Sequence, residues 1–156
     1  MTAPRAGGCP CGAVSLALDG PALFRLFCHC TICRAYNGAA YADVTAFRAR
    51  DVRVADEAGV AYRAWKRPPI VRRGTCTKCA RPAIERARLP LVPDLAIVPT
   101  ANLAGPAPAP SRHIYYARRV ADVDDDLPKH AGAASSQLAF ARELFGALRR
   151  AGREGG

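Results

Sequence analysis

Seven cysteines in three tight groups are the residues of this chain best suited to chemistry. The groups are Cys9-Pro10-Cys11, Cys28-His29-Cys30-Thr31-Ile32-Cys33 and Cys76-Thr77-Lys78-Cys79. Soft thiolate ligands select zinc or iron–sulfur clusters rather than magnesium or calcium. Four thiolates complete a tetrahedral zinc site, whereas three leave one coordination position for water or substrate. Seven cysteines therefore predict two zinc ions per chain, one structural and one able to do chemistry.

Disulfides, an iron–sulfur cluster and a redox thiol pair are the alternatives for these cysteines. Disulfides need an oxidising compartment, and residues 1–8 lack the apolar segment of a secretory signal. An odd number of cysteines would also leave one thiol unpaired. A single Cys-x-x-Cys can be a redox pair, but three cysteine groups in one chain favour a metal. Zinc is the preferred interpretation, and an iron–sulfur cluster or thiol redox chemistry stays open.

Spacing suggests which cysteines share an ion. The three cysteines of the central group are close enough in sequence to bind one ion by themselves, with an open coordination position. The first and last groups are two-sulfur knuckles, and together they would close a long loop with a four-sulfur site. The predicted catalytic set is Cys28, Cys30 and Cys33, and the predicted structural set is Cys9, Cys11, Cys76 and Cys79. A rival division places Cys28 or Cys30 in the four-sulfur site, and spacing alone does not exclude it.

Two neighbours of the central cysteines are candidate catalytic residues. His29 lies between two predicted ligands and can serve as a general acid or base near neutral pH. Alternatively, it faces away from the metal and bonds a neighbouring loop. Arg34 directly follows the last ligand, where it can offset thiolate charge or grip a substrate carboxylate. A plain surface arginine is the alternative for Arg34.

Length and charge limit the classes of protein to consider. A chain of 156 residues fits one domain, and its apolar stretch 89–99 is broken by prolines and Asp94. That stretch is far shorter than the roughly 20 apolar residues of a membrane-spanning helix. The net charge of +10 suits anionic partners, but the arginines are scattered and lack interleaved aromatic residues. We therefore expect a soluble cytoplasmic protein without a membrane segment, and nucleic-acid binding is not supported.

Short segments of alternating hydrophobicity predict a mostly β fold that positions the cysteines. The predicted strands are 13–19, 23–27, 41–47, 60–65, 70–73, 83–89, 95–98 and 113–117. The second of these leads into Cys28, and the strand at 70–73 leads into the Cys76 knuckle. Asn37-Gly38 predicts a turn.

The end of the chain has a helical pattern instead. Its predicted apolar face consists of Leu138, Ala141, Leu144, Phe145 and Leu148. Ser135 or Ser136 is the expected N-cap, Gly152 the expected end, and 152–156 the expected disordered tail. We divide the chain into a zinc-binding domain at 1–130 and a helix with tail at 131–156. The helix is expected to dock on the domain, and a dimerisation helix is the alternative; the oligomeric state stays open.

The ordered motifs resemble those of a known family. They are Gly8-Cys9-Pro10-Cys11-Gly12-Ala13-Val14, Cys28-His29-Cys30-Thr31-Ile32-Cys33-Arg34, Cys76-Thr77-Lys78-Cys79, His113-Ile114-Tyr115-Tyr116 and Asp124-Asp125-Asp126-Leu127-Pro128. Over about residues 7–130 this order is similar to the glutathione-dependent formaldehyde-activating (GFA) family, which includes the centromere protein V group. The resemblance implies an all-β, Mss4-like β-tent stapled by zinc, with a short C-terminal α-helix. It also implies the same division into four structural and three catalytic cysteines.

The function implied by the resemblance is that of a zinc-dependent carbon–sulfur lyase. Its substrate would be the adduct of a thiol such as glutathione with formaldehyde or a related small electrophile. The alternative is a non-catalytic, zinc-stapled binding or scaffold domain with a basic surface, as the centromere-type relatives suggest. Three ligands at the central group, rather than four, favour the enzyme.

Two positions depart from the family pattern. Ala80 stands where the family usually has glycine, and glycine would ease a left-handed backbone there. Residues 120–123 take the place of an aromatic residue, often tryptophan, that family members carry before the Leu-Pro pair. The substrate pocket of this chain is therefore expected to differ from that of other members.

Overall fold

Two β-sheets and a C-terminal helix form the part of the chain that the computed structural model describes, residues 5–155. The strands are β1 (Arg5–Gly8), β2 (Ser15–Leu18), β3 (Phe24–Cys28), β4 (Ala42–Arg48), β5 (Val52–Val54), β6 (Val60–Ala64), β7 (Val71–Cys76), β8 (Pro82–Ala87), β9 (Leu95–Pro99), β10 (Leu103–Ala104) and β11 (His113–Ile114). The helices are α1 (Thr31–Asn37) and α2 (Ala133–Glu154). Residues 1–4 and 156, which the sequence analysis assigned to the domain and the tail, lie outside the described range.

The larger sheet has the strand order β11-β3-β4-β9-β8-β7-β6, and the smaller one has the order β10-β1-β2-β5. Neighbouring strands are antiparallel except β11 and β3, which are parallel. The alternation predicted for β2 is confirmed, because Leu16 and Leu18 are buried and pair with β5. The mostly β fold predicted from the sequence is thus present.

Two separate apolar clusters form the core, and both contain cysteines. One cluster packs Phe24, Leu26 and Leu95 of the larger sheet against Leu144 of α2, and it includes Cys28 and Cys33. The other packs buried side chains of both sheets together with Cys9 and Cys76; its largest members are Leu16, Leu18, Phe47, Ile84 and Val98. Burying one such large side chain contributes about 1.5–3 kcal/mol. The central cysteine group therefore lies on one part of the core, and the first and last groups share the other.

The C-terminal helix differs from its prediction in length and in face. It continues through Gly152 to Glu154, so the predicted stop and disordered residues up to 154 are wrong. A glycine costs a helix only about 1 kcal/mol, which neighbouring turns can tolerate. The N-cap is Gly132, and Ser136 lies inside the helix, where its Oγ accepts a hydrogen bond from the Tyr115 N–H at 2.7 Å.

The buried face of α2 contains alanines, which the hydrophobic pattern of the sequence does not single out. Ala139 and Ala147 are buried beside Leu144, and Phe140 meets Phe24 edge-on with ring centroids 5.4 Å apart. Two residues of the predicted face, Leu138 and Phe145, are instead 52% exposed. Alanines let the helix approach the sheet closely, so they occupy the contact instead of the larger side chains.

The late strand is also shorter than predicted. It ends at Ile114, because Tyr115 has a left-handed backbone (φ +54°) and Tyr116–Arg118 forms a 3-10 turn. The turn predicted at Asn37-Gly38 is confirmed as the end of α1, where Gly38 is left-handed. No helix within residues 5–155 is long and apolar enough to cross a membrane.

Candidate functional site

The seven sulfur atoms lie in two groups, and the first joins the ends of distant strands. Within this four-cysteine set the Sγ atoms of Cys9, Cys11, Cys76 and Cys79 all lie within 4.8 Å of one another. Cys9 and Cys79 are 2.9 Å apart at Sγ, and Cys11 is 3.6 Å from both Cys9 and Cys76. A zinc tetrahedron with Zn–S bonds of about 2.3 Å has edges of about 3.8 Å. The four sulfur atoms therefore fit a zinc ion.

Two knuckles of the same design present these sulfur atoms. In the first, the Gly12 N–H donates to the Cys9 carbonyl at 2.9 Å; in the second, the Ala80 N–H donates to the Cys76 carbonyl at 2.8 Å. The residue after the second cysteine is left-handed in both, with φ +81° at Gly12 and +61° at Ala80. Glycine adopts this conformation freely, whereas alanine is strained there. The strain expected at Ala80 is thus present in the backbone.

The three-cysteine set comes from one short segment, the end of β3 and the start of α1. The Sγ atoms of Cys28, Cys30 and Cys33 lie within 4.8 Å of one another. Cys30 is the N-cap of α1, and its Sγ accepts a hydrogen bond from the Cys33 N–H at 3.3 Å. At the other end of α1, Asn37 Nδ2 donates to the Cys33 carbonyl at 2.8 Å. This helix was not predicted, and it is what turns the three sulfur atoms toward one point.

Interactions among the thiols of this set shift the pKa values of Cys28 and Cys30 in opposite directions. Donation from Cys28 and then Cys33 lowers the pKa of Cys30, and Arg73 adds to the effect. The pKa of Cys28 is raised because its thiol bonds Cys30 and Cys33 and because it is buried. Soft sulfur donors at this spacing suit zinc, and the set holds no fourth ligand among residues 5–155. A three-ligand zinc site with one open position therefore fits these residues.

The rival division of the cysteines finds no support in this geometry, because neither Cys28 nor Cys30 belongs to the four-cysteine set. Whether one set is structural and the other catalytic is a question of function, and that assignment stays a prediction.

A buried ion pair lies directly behind the three-cysteine set, and sequence reasoning missed it. Arg73 Nη2 is 3.6 Å from Cys33 Sγ, and Arg73 Nε is 3.4 Å from Glu85 Oε2. Both side chains are nearly inaccessible, and burial raises the pKa of Glu85 to about 7 although Arg73 opposes the shift. Arg73 and Glu85 are directly opposite each other on β7 and β8. Opposite charges at facing positions of two predicted strands were the available signal.

His29 turns away from the cysteines and joins a hydrogen-bonded row. Cys28 packs in the core with Cys33. The side chain of His29, the next residue, points to the opposite side and lies beside Tyr41 and His113. His29 Nε2 is 2.8 Å from His113 Nδ1, and His113 Nε2 is 2.8 Å from Asp125 Oδ2. Burial lowers the pKa of His29 to about 4, which keeps it neutral.

Arg34 is anchored to the same segment and keeps its outer nitrogen atoms free. Its Nε donates to the His29 carbonyl at 3.2 Å. Its side chain makes no ion pair within residues 5–155. The terminal nitrogen atoms are therefore not engaged by a carboxylate of the described residues.

Comparison with known proteins adds a family and a fold. A family profile described as glutathione-dependent formaldehyde-activating enzyme matches residues 4–118. Among solved structures, the crystal structure of a Rhodobacter sphaeroides protein is similar to this chain, with a TM-score of 0.53. The match covers 66% of this chain and 91% of that chain at 23% identity, so it concerns the fold alone. No curated protein matches the sequence significantly.

Proposed function

The chain belongs to the glutathione-dependent formaldehyde-activating enzyme family, and from that premise we propose that it is a zinc-dependent carbon–sulfur lyase. Its substrate is the adduct of a thiol such as glutathione with formaldehyde or a related small electrophile. The observation that carries this proposal is the three-cysteine set, whose sulfur atoms converge within 4.8 Å without a fourth ligand among residues 5–155.

The reaction is an addition that can run in either direction. In the synthetic direction the thiol sulfur attacks the aldehyde carbon, a carbon–sulfur bond forms, and the carbonyl π bond breaks. The thiol proton ends on the former carbonyl oxygen, so that RSH and formaldehyde give RSCH₂OH. In the lyase direction the same bonds change in reverse. No oxidant or reductant is needed.

Cys28, Cys30 and Cys33 would hold zinc, and the ion would lower the pKa of a thiol bound to it or polarise an aldehyde oxygen. The chain itself shapes the surroundings of that site. Cys28 and Cys33 are buried in an apolar cluster, which excludes water on their side of the site. Exclusion of water strengthens electrostatic interactions and limits hydration of the reacting groups.

Arg34 is the residue proposed to bind the substrate away from the reacting sulfur. A peptide-like thiol carries carboxylates, and an arginine can bind a carboxylate through two parallel hydrogen bonds. The bond from Nε to the His29 carbonyl holds the guanidinium next to the cysteine segment. Arg34 therefore orients the thiol, and His29 supports Arg34 through its backbone instead of acting as an acid or base.

The four-cysteine set is proposed to bind a second zinc ion with a structural role. Its sulfur atoms come from knuckles about 65–70 residues apart in sequence. A metal that binds only the folded arrangement adds its binding free energy to folding. With both ions in place, the fold would be the zinc-stapled β-tent expected from the sequence.

The proposal is tested by exchange NMR with ¹³C-formaldehyde and glutathione on the zinc-loaded full chain. We expect the protein to accelerate formation and breakdown of the S-hydroxymethyl adduct, and Cys30→Ser to remove the acceleration while the chain stays folded. Arg50→Gln, a change at an exposed arginine, is the matched control and should keep full activity. A folded, metal-loaded wild type without acceleration would contradict the proposal and favour the non-catalytic binding domain.

A further inference from the structure

The buried pair of Arg73 and Glu85 has no place in the reaction as written, yet it touches the three-cysteine set. We propose that Arg73 is a positioning residue that protects Cys33. Its guanidinium donates to the Cys33 thiolate, so that an electrophile reacts with the substrate thiol and not with the protein's own ligand. This inference rests on the proposed function, because it assumes that the site handles an electrophilic carbon.

The position of Arg73 is fixed from several sides. The Nη2 atom lies 3.6 Å from Cys33 Sγ, and Nε lies 3.4 Å from the Glu85 carboxylate. The guanidinium carbon is 6.0 Å from the centre of the Tyr36 ring, and the Tyr36 hydroxyl donates to the Gly74 carbonyl at 2.5 Å. A guanidinium held in this way loses little further entropy when it bonds a sulfur atom.

Charge balance explains why an arginine stands there. Three thiolates around a divalent ion leave one net negative charge, and Glu85 adds a second in the same buried region whenever its carboxyl group is ionised. An uncompensated buried charge costs several kcal/mol, and Arg73 supplies the positive charge that offsets it. Because Glu85 also pairs with Arg73 Nε, it helps to hold the guanidinium with Nη2 directed at Cys33.

The four-cysteine set lacks this arrangement. Its sulfur atoms bond one another and backbone N–H groups, such as that of Ala13, and within the described chain no arginine or lysine side chain donates to them. Cys11 in that set is exposed. A guanidinium behind the sulfur atoms is therefore a property of the site proposed to meet the substrate, and not of cysteine clusters in this fold generally.

The chemical consequence concerns bond formation at sulfur. If a ligand thiolate attacked formaldehyde, its sulfur would form a bond to carbon, the carbonyl π bond would break, and the oxygen would take a proton from water. The resulting thioether sulfur is a much weaker acceptor than a thiolate, so the charge-assisted hydrogen bond from Arg73 would be lost. Losing this bond raises the barrier for attack by Cys33, while the incoming thiol carries no such restraint.

Selective alkylation tests the proposal without reference to enzyme activity. The zinc-loaded full chain is treated with iodoacetamide, and labelling of each cysteine is followed by peptide mass spectrometry. In Arg73→Met we expect the labelling rate of Cys33 to rise roughly tenfold relative to that of Cys11 in the same molecule. A tenfold change in rate corresponds to about 1.4 kcal/mol of activation free energy. Cys28 should rise much less. Unchanged labelling of Cys33 with zinc retained, or an equal rise at all three cysteines with zinc retained, would overturn the proposal.

A second measurement uses the unmodified chain, in case Arg73→Met does not fold. In the protein loaded with ¹¹³Cd, a hydrogen bond from Arg73 to a metal-bound Cys33 should give scalar coupling between the cadmium and an Arg73 side-chain proton. Absence of this coupling, together with rapid solvent exchange of the Arg73 protons, would overturn the proposal. If coupling and selective labelling hold while the exchange assay shows no catalysis, the hydrogen bond stands and the proposed reaction falls.

Discussion

The two cysteine sets of this molecule differ in where their sulfur atoms lie in the sequence and in which side chains surround them. The four-cysteine set takes its sulfur atoms from two knuckles far apart in sequence, and within the described chain no charged side chain donates to them. The three-cysteine set takes its sulfur atoms from one segment, 28–33, but places a buried arginine, a buried carboxyl group and an anchored arginine around them. This difference is the one expected if the four-cysteine set joins distant strands and the three-cysteine set, as proposed, binds and positions a substrate.

The largest expected difference is in folding. Cys76→Ser should unfold the chain or make it insoluble, because structural zinc in small domains supplies about 10–16 kcal/mol of binding free energy. Cys30→Ser should keep a cooperative thermal transition, since the remaining ligands of its set are held by β3 and α1. Circular dichroism melts of the two variants make the comparison. Equal damage from both substitutions would contradict the division into structural and catalytic sets.

The next largest expected effect is a pH dependence of stability, caused by the buried carboxyl group of Glu85 near the three-cysteine set. In the folded chain the pKa of Glu85 is raised to about 7 by burial, above its ordinary value of 4.5. The folded state thus binds this proton more tightly, and its stabilisation is lost as pH rises through 7. Glu85→Gln should therefore gain stability over wild type between pH 4.5 and pH 8, by on the order of 3 kcal/mol.

Urea unfolding at pH 5 and pH 8 measures this gain. Glu57→Gln is the matched control, because its carboxyl group is largely exposed and also pairs with an arginine. A difference between Glu85→Gln and wild type that does not grow with pH would mean that Glu85 is stably ionised by Arg73.

Substrate binding should depend on the surroundings of the three-cysteine set, and on Arg34 in particular. Arg34→Gln is expected to raise the KM for glutathione roughly tenfold, the change for about 1.4 kcal/mol of binding energy. Its effect on kcat should be small, and an uncharged thiol such as 2-mercaptoethanol should show little change in KM. Steady-state rates with both thiols test this. An equal loss with the two thiols would remove the carboxylate-binding role of Arg34.

The smallest expected effect concerns the left-handed residue that follows the second cysteine in each knuckle. Ala80→Gly should stabilise the chain by about 0.5–1 kcal/mol, because glycine relieves the left-handed backbone that costs an L-residue about 1–2 kcal/mol. Ala134→Gly, at an exposed position in the first turn of α2, is the control and should destabilise the chain by less than about 1 kcal/mol. Thermal denaturation compares them. A loss of stability in Ala80→Gly would show that the knuckle is not strained.

Local patterns made the cysteine groups and most strands predictable. Ligand spacing depends on residues within one turn, and the alternation in β2 reflects one buried face. Ligand spacing and strand alternation both depend on residues that are close together in the sequence. The same reasoning located α2, because its helical period is long and regular.

The features that were missed depend on contacts between distant segments. Whether Arg73 faces Glu85 is decided by the register of β7 and β8, which single-segment patterns do not contain. The direction of His29 is set by its bond to His113, 84 residues away. The buried face of α2 likewise follows the close fit of alanines against the sheet and not the hydrophobicity of the helix alone.

Metal content per chain tests the two-site account most directly. Elemental analysis is made on anaerobically purified wild type and Cys30→Ser, with circular dichroism of the same samples. The account predicts two zinc ions in the wild type and one in the variant, with the chain still folded. One zinc in both proteins, or loss of both ions and of the fold in Cys30→Ser, would contradict it.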